Sequence, residues 1–392
     1  MDDFFIQPVE QKVSCAQWYA PSTYVSEELH FLTGTWDEGT ENALTLWRCP
    51  APDARTRQLN AGFTATALCR TPHTGDVASI ALLQPHLCAT ASSDGQLYLY
   101  ALPDDLAAPD SNHTASYELK LVRSWDTAAG EPNTRAMSVD SSATAVTPSD
   151  RGLRSPCTAV AVQPHKQGDP ELAVVGENGH LNIFTAERTT AIDTTQADCL
   201  PLYDVAWLTS NTLMTASRSG QLKLFDRRDM REAVAVLMDP VDTGAAVNCI
   251  AVHASQTNRI AVGNALGRAQ IWDLRQYDEP QSQSIPLHHA EITDIRLHPH
   301  QPFTVATASA DGSCVMMDTT AVPTAPGVPP TAEPLAHRRY SAMASGRTAS
   351  SQGILKLQNL YNRLSINCLD FHPQNGLMLA GSDNENLLFH LD

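Results

Sequence analysis

The chain has 392 residues, is 42% hydrophobic and carries a formal net charge of −17 at pH 7. That surplus of acid argues against binding a phosphate backbone, which needs clustered Lys and Arg to displace counterions. No apolar run approaches the roughly 18 residues of a membrane span, Asp2-Asp3 stand where a secretory signal would be basic then apolar, and nine cysteines without a CxxC pair suit the cytosol or nucleus.

In chain order the first strand signal is Phe4–Val9, followed by Lys12–Trp18 and by Leu32–Trp47, a hairpin whose long turn holds Asn42. A thirteen-residue pattern then sets the rhythm, first at Cys88–Tyr100 and again at Leu172–Phe184, Leu213–Phe225, Ile260–Trp272, Val305–Met317 and Leu377–Phe389. Each copy opens apolar, passes two turn residues and closes on alternating apolar positions. Its eighth position is Gly95, Gly179, Gly220, Gly267, Gly312 or Asn384, types that tolerate the positive φ of a two-residue turn. A strand with period-two alternation precedes most copies, around Val77, Thr158, Tyr203, Val247, Ile292 and Ile366. Several end at Gln84-Pro85, Gln163-Pro164, His298-Pro299 or His372-Pro373, because proline lacks a ladder N–H.

Two insertions break the rhythm. The first, about residues 103–156, is rich in Ser, Thr, Ala and Asp and contains one strand-like stretch, Tyr117–Trp125, expected as the outer strand of a blade. The second, about residues 319–353, begins Pro-rich and turns basic at His337, Arg338, Arg339 and Arg347 against Glu333; Ile354–Leu360 then resumes a strand.

Seven hairpins at one internal register, each in a unit of roughly forty to fifty residues, predict an all-β, seven-bladed propeller filling one domain, residues 1–392. The last hairpin leaves its blade without an outermost strand, so Phe4–Val9 is expected to seal the ring there and remove two exposed edges.

Reactive chemistry finds little support. His288-His289 and His298-Pro299-His300 have no Cys or carboxylate at a recurring zinc spacing, so no metal is expected. Ser, His and Asp recur at equivalent blade positions, whereas a nucleophile must be unique and exposed. No Gly-Lys-Ser/Thr phosphate loop occurs. The expectation is no catalytic residue, no cofactor and no small-molecule substrate.

Trp272-Asp273, with Phe225-Asp226 and Met317-Asp318 as worn copies, resembles the WD-repeat family. Within that resemblance His73, Ser92, Asp94 and Tyr100 match the family's buried His–Ser/Thr–Asp–Trp set, as do His288, Ser309, Asp311 and Met317, although Met317 cannot donate the closing hydrogen bond. The other blades are expected to rely on apolar packing. Trp272-Asp273-Leu274-Arg275 and Phe225-Asp226-Arg227-Arg228 resemble the motif by which some propellers join cullin-RING ubiquitin ligases, which makes Arg228 and Arg275 candidate partner-binding residues and a ligase substrate receptor the alternative function.

Across its length the chain is similar to the small WD-repeat nucleoporins of the Y-shaped outer-ring scaffold. Gln11–Ser14 with Trp18, Thr33–Asp37 leading into Trp47, Val175–Phe184, Ser219–Asp226 and Arg363–Asp370 carry that resemblance, and the insertions fall after blades two and six as in that family. It implies a non-enzymatic subunit docking onto a helical nucleoporin, with roles in nuclear transport and at mitotic kinetochores.

Overall fold

A computed structural model describes residues 4–20, 28–37, 41–53, 59, 63–83, 86–103, 117–127, 154–164, 169–240, 242–275, 281–319, 347–349, 354–358, 364–383 and 386–390. Seven antiparallel sheets follow one another around a ring. Blade 1 holds β2 (Val13–Tyr19), β3 (Glu28–Thr35), β4 (Ala43–Pro50) and β5 (Thr66–Pro72). Blade 2 holds β6 (Val77–Leu83), β7 (Leu87–Ser92), β8 (Gln96–Ala101) and β9 (Lys120–Asp126). Blade 3 holds β10 (Cys157–Val162), β11 (Glu171–Gly176), β12 (His180–Thr185) and β13 (Asp193–Gln196). Blade 4 comprises β14 (Leu202–Trp207), β15 (Thr212–Ser217), β16 (Gln221–Asp226) and β17 (Ala235–Met238); blade 5, β18 (Val247–His253), β19 (Gln256–Asn264), β20 (Arg268–Asp273) and β21 (Gln281–Pro286). Blade 6 has five strands: β22 (Ile292–His298), β23 (Gln301–Ser309), β24 (Ser313–Asp318), then β26 (Ile354–Gln358) and, outside it, β25 (Arg347–Ala349). Blade 7 is β27 (Ile366–Phe371), β28 (Met378–Ser382), β29 (Asn386–His390) and, on its edge, β1 (Phe4–Pro8).

The ring closes as the sequence predicts: β1 pairs antiparallel with β29, Phe4 opposite His390 and Pro8 opposite Asn386. Apolar side chains from neighbouring blades mesh into seven clusters, one at each junction, because each sheet is buried on both faces. At the closing junction Phe5 packs against Phe63 (ring centroids 5.3 Å) and Phe389 (6.4 Å).

Packing is not the only bond between blades, and here the structure corrects the sequence reading. Every inner strand carries a β-bulge after its first residue. In five blades the extra residue is polar and donates to a carbonyl of the next inner strand: Ser14 to Val77 (2.6 Å), Thr158 to Leu202 (2.7 Å), Asn248 to Ile292 (3.0 Å), Thr293 to Ile366 (2.5 Å) and Asn367 to Val13 (2.8 Å). In blades 2 and 4 the extra residue is Ala78 or Tyr203, and the residue after it acts instead: Ser79 accepts from Val160 N (3.4 Å) and Asp204 from Ile250 N (2.7 Å). Asp294 and Asp370 accept likewise from Leu369 N (2.8 Å) and Trp18 N (2.7 Å). All seven junctions, the non-covalent one included, are thus tied through side chains at the ring axis. The bulge makes this possible by turning an otherwise paired residue toward the next blade.

Other differences are local. The outer strand of blade 2 begins at Lys120, not Tyr117, and that of blade 6 ends at Gln358. The second insertion lies within blade 6, since β24 and β26 of the same sheet flank it, and it contributes the unanticipated strand β25; the first divides around β9, one part between β8 and β9 of blade 2 and the other between blades 2 and 3. Gln84-Pro85, Gly353, Asn384, the basic residues His337, Arg338 and Arg339, and most of the two insertions lie outside the described residues.

Candidate interaction rims

Strand order divides the loops between two rims. Turns joining second to third strands, and links from one blade to the next, share one rim, the upper; turns joining first to second and third to fourth strands share the lower.

On the upper rim Gly95, Gly179, Gly220, Gly267 and Gly312 adopt positive φ, as their position in the repeat requires. Beside them stand the two histidine sets, with different members from those the sequence suggested. His73 Nδ1 donates to the Gly75 carbonyl (3.2 Å), so Nε2 of the neutral ring accepts from Thr90 Oγ1 (2.9 Å). The hydroxyl that reaches Asp94 belongs to Tyr98 (2.5 Å), not Tyr100, which packs in the apolar cluster between blades 1 and 2. Cross-strand register explains the correction: Thr90 and Tyr98 are direct partners, whereas Tyr100 lies two residues further along the same face, opposite Cys88. Blade 6 repeats the arrangement, His288 meeting Thr307 (2.8 Å) and Ser313 (3.0 Å), with Asp311 at 3.4 Å. Burial alone raises the Asp311 carboxyl, but hydrogen bonds from His288 and Ser313 bring it well below its ordinary value.

These sets tie turns to strands within their blades. Ser92 and Ser309 are fully buried and donate to the carbonyls of Thr74 (2.7 Å) and Ala290 (3.3 Å). A hydroxyl held that way offers no nucleophile to a substrate. Near the axis, Arg296 lies 3.4 Å from Asp294 and donates to the Leu369 carbonyl (3.0 Å). Burial pushes the Asp204 carboxyl up to about 7 and that of Asp370 up to about 6, with Arg296 opposing both shifts.

On the lower rim, side chains of the first-to-second turns reach one blade forward. Gln163 donates to the Ser210 carbonyl (2.6 Å), His253 to Pro299 (3.0 Å) and His300 to Gln374 (3.0 Å), while Tyr19 meets His86 Nδ1 (2.9 Å). His298 Nδ1 accepts from the backbone of His300 (3.2 Å) and Gln301 (3.1 Å), which shapes its own turn. Among the described residues no group of three His, Cys, Asp or Glu is placed to hold a metal ion.

Arg228 and Arg275 follow the third strands of blades 4 and 5, on this lower rim, with side chains 76% and 73% exposed. Each is held by the aspartate two residues earlier. Arg228 donates from its backbone N (3.0 Å) and Nε (2.9 Å) to Asp226, and Arg275 does so to Asp273 (3.1 Å for both). Arg231 and Asp229 form a third such turn that the sequence reading passed over, although Asp-x-Arg is legible there. The Arg228 guanidinium lowers Asp226 to about 2. Arg227, between Asp226 and Arg228, turns inward to Glu171 and Asp193 and joins blades 3 and 4.

Comparison with known proteins agrees with this architecture. The profile of the family described as WD domain, G-beta repeat, matches residues 280–318 and 356–389. Nucleoporin Nup43 of Homo sapiens is 28% identical over 318 residues, 80% of this chain and 75% of that protein, and Nup43 of Mus musculus is 27% identical over 317. Cytoplasmic dynein 2 intermediate chain 2 of Mus musculus is 26% identical over 101 residues, 25% of this chain and 19% of that one. The chain is a seven-bladed β-propeller in which residues 280–318 and 356–389 match the WD40 repeat, and over 80% of its length it is similar to nucleoporin Nup43.

Proposed function

We propose that this protein is a non-enzymatic scaffold subunit of the nuclear pore outer ring, docking onto a helical nucleoporin at the nuclear envelope and supporting protein and mRNA transport. The observation that carries the reading is the similarity to nucleoporin Nup43 over 80% of the chain and 75% of the relative, which takes in whole blades and not one repeat. The geometry supports it. The buried polar side chains of the repeats hold blades together, and a ring tied at each junction is a rigid platform that presents loops on two rims.

A ubiquitin-ligase receptor needs Arg228 and Arg275 to meet an acidic partner. Both are already engaged by Asp226 and Asp273, which weakens their pull on a second carboxylate. The test is to tag the chain in its own cells and to replace both arginines by alanine. The scaffold reading expects a nuclear-envelope signal, retained in Arg228→Ala/Arg275→Ala, and co-purification with helical nucleoporins. Wild-type protein absent from the envelope and recovered with a cullin complex overturns it.

A further inference from the structure

β17, the outermost strand of blade 4, differs from its neighbours around the ring. Its residues, Ala235-Val236-Leu237-Met238, are all apolar, whereas β13 reads Asp-Thr-Thr-Gln and β21 begins Gln-Ser-Gln-Ser. Alternation splits its side chains between two faces. Leu237 is 2% exposed and belongs to the core between blades 4 and 5, while Val234, Val236 and Met238 are 61%, 53% and 39% exposed. Lys223 stands opposite Val236 in the register and is the side chain placed to cover this stripe with charge. It turns away toward blade 3, where its ammonium pairs with Asp198 (3.1 Å) and donates to the Ala197 carbonyl (2.8 Å). An apolar stripe about 14 Å long is left on an outer sheet edge. Proteins usually guard such edges with charge or proline, and a stripe left unguarded marks a contact surface.

Blade 6 shows what an outer edge of this ring takes up. There β25 adds to β26 as a fifth, antiparallel strand, with Arg347 opposite Leu357, Thr348 opposite Lys356 and Ala349 opposite Leu355. The chain's own insertion supplies that strand. The link from β16 to β17 is only residues 227–234, too short to fold back and do the same for blade 4.

We propose that β17 is a docking edge for an extended segment of a protein partner, added antiparallel as a fifth strand, with apolar or β-branched side chains at alternate positions to meet Val234, Val236 and Met238. Main-chain hydrogen bonds hold such a segment and its alternate side chains select it. That the partner is a nucleoporin rests on the scaffold reading; the strand addition does not.

The test uses the full-length chain in its own cells. A benzophenone amino acid is placed at Val236 and, as control, at Thr66 on β5, and the cross-linked peptides are sequenced. In parallel, Val236→Lys is compared with wild type for thermal stability and for recovery of the cross-linked partner. The proposal expects position 236 to capture a segment whose apolar residues alternate, and Val236→Lys to lower recovery at least tenfold with an unchanged melting temperature. If that segment belongs to a protein outside the nuclear pore, the docking edge stands and the scaffold reading falls. Capture no greater than at Thr66, capture of a second copy of this chain, a captured segment with helical i, i+3, i+4 spacing, or undiminished recovery with Val236→Lys overturns the docking edge.

Discussion

The Asp370 carboxylate in the last blade accepts the backbone N–H of Trp18 in the first at 2.7 Å, across 352 positions of sequence. Asn367 adds a bond to the Val13 carbonyl at the same seam, and the Trp36 indole reaches Asp383 at 3.0 Å. The junction without a covalent link is therefore tied at the axis by the same device as the others, and at its outer edge by β1.

Removing residues 1–10 tests how much that outer strand contributes. The deletion takes away the pairing with β29 and the contacts of Phe5 with Phe63 and Phe389. Burial of one large apolar side chain is worth about 1.5–3 kcal/mol. The melting temperature should fall by several degrees in calorimetry, with a greater tendency to aggregate through the exposed β29 edge. A truncated protein that melts with wild type refutes closure by β1.

The corrected histidine set makes a second prediction. Tyr98→Phe removes the hydroxyl on Asp94, and Thr90→Val removes the partner of His73 Nε2. Each should cost about 1 kcal/mol, because an acceptor, buried at His73 and half-buried at Asp94, is left without its donor. Tyr100→Phe, inside the apolar cluster, should cost less. Chemical denaturation of the three variants decides the matter, and equal losses at Tyr98 and Tyr100 would return the set to its sequence-based membership.

Two glycines separate backbone strain from collision. Gly179 (φ +76°) and Gly244 (φ +82°) are both left-handed, but a Cβ on Gly179 collides with the Asp198 carbonyl oxygen, whereas one on Gly244 meets nothing within 4 Å. Gly244→Ala should show only the conformational penalty, about 1 kcal/mol. Gly179→Ala should lose markedly more, since the backbone linking blades 3 and 4 must shift to admit the methyl group. Similar unfolding midpoints for the two variants would contradict the close approach at Gly179.

What the sequence made legible follows from periodicity. Period-two alternation and a glycine or asparagine at the turn of each unit locate the inner three strands of every blade, since those strands are buried on both faces and their pattern is strong. Outer strands are half-exposed and variable, so β9 was placed three residues early and β25 was not seen at all. The inter-blade ties were invisible for a different reason. Ser14, Thr158, Asn248, Thr293 and Asn367 look like ordinary polar interruptions of a strand until the bulge turns them toward the next blade. Arg228 and Arg275 were legible as a motif, but their capture by Asp226 and Asp273 depends on turn geometry that the motif does not state.

The ring axis should give the protein a measurable pH dependence. Burial raises Asp204 from an ordinary 3.8 to about 7, and Asp370 to about 6, against the opposing pull of Arg296 and of the backbone N–H groups they accept from. A carboxyl whose folded value lies above its unfolded one holds its proton more tightly in the fold. Its contribution is therefore present in acid and is lost as pH rises from about 4 through 7. His30 and His372, lowered to about 4 chiefly by burial, act in the opposite sense, costing stability as pH falls from their ordinary 6.5 toward 4. The raw profile mixes the two, so the comparison to make is between wild type and Asp204→Asn. Asparagine mimics the protonated acid and keeps an oxygen for the Ile250 N–H. The variant's melting temperature relative to wild type should rise by several degrees between pH 5 and pH 8, while the His contribution, common to both proteins, cancels. A difference that stays constant across that range would mean that Asp204 is already ionised in the fold at pH 5.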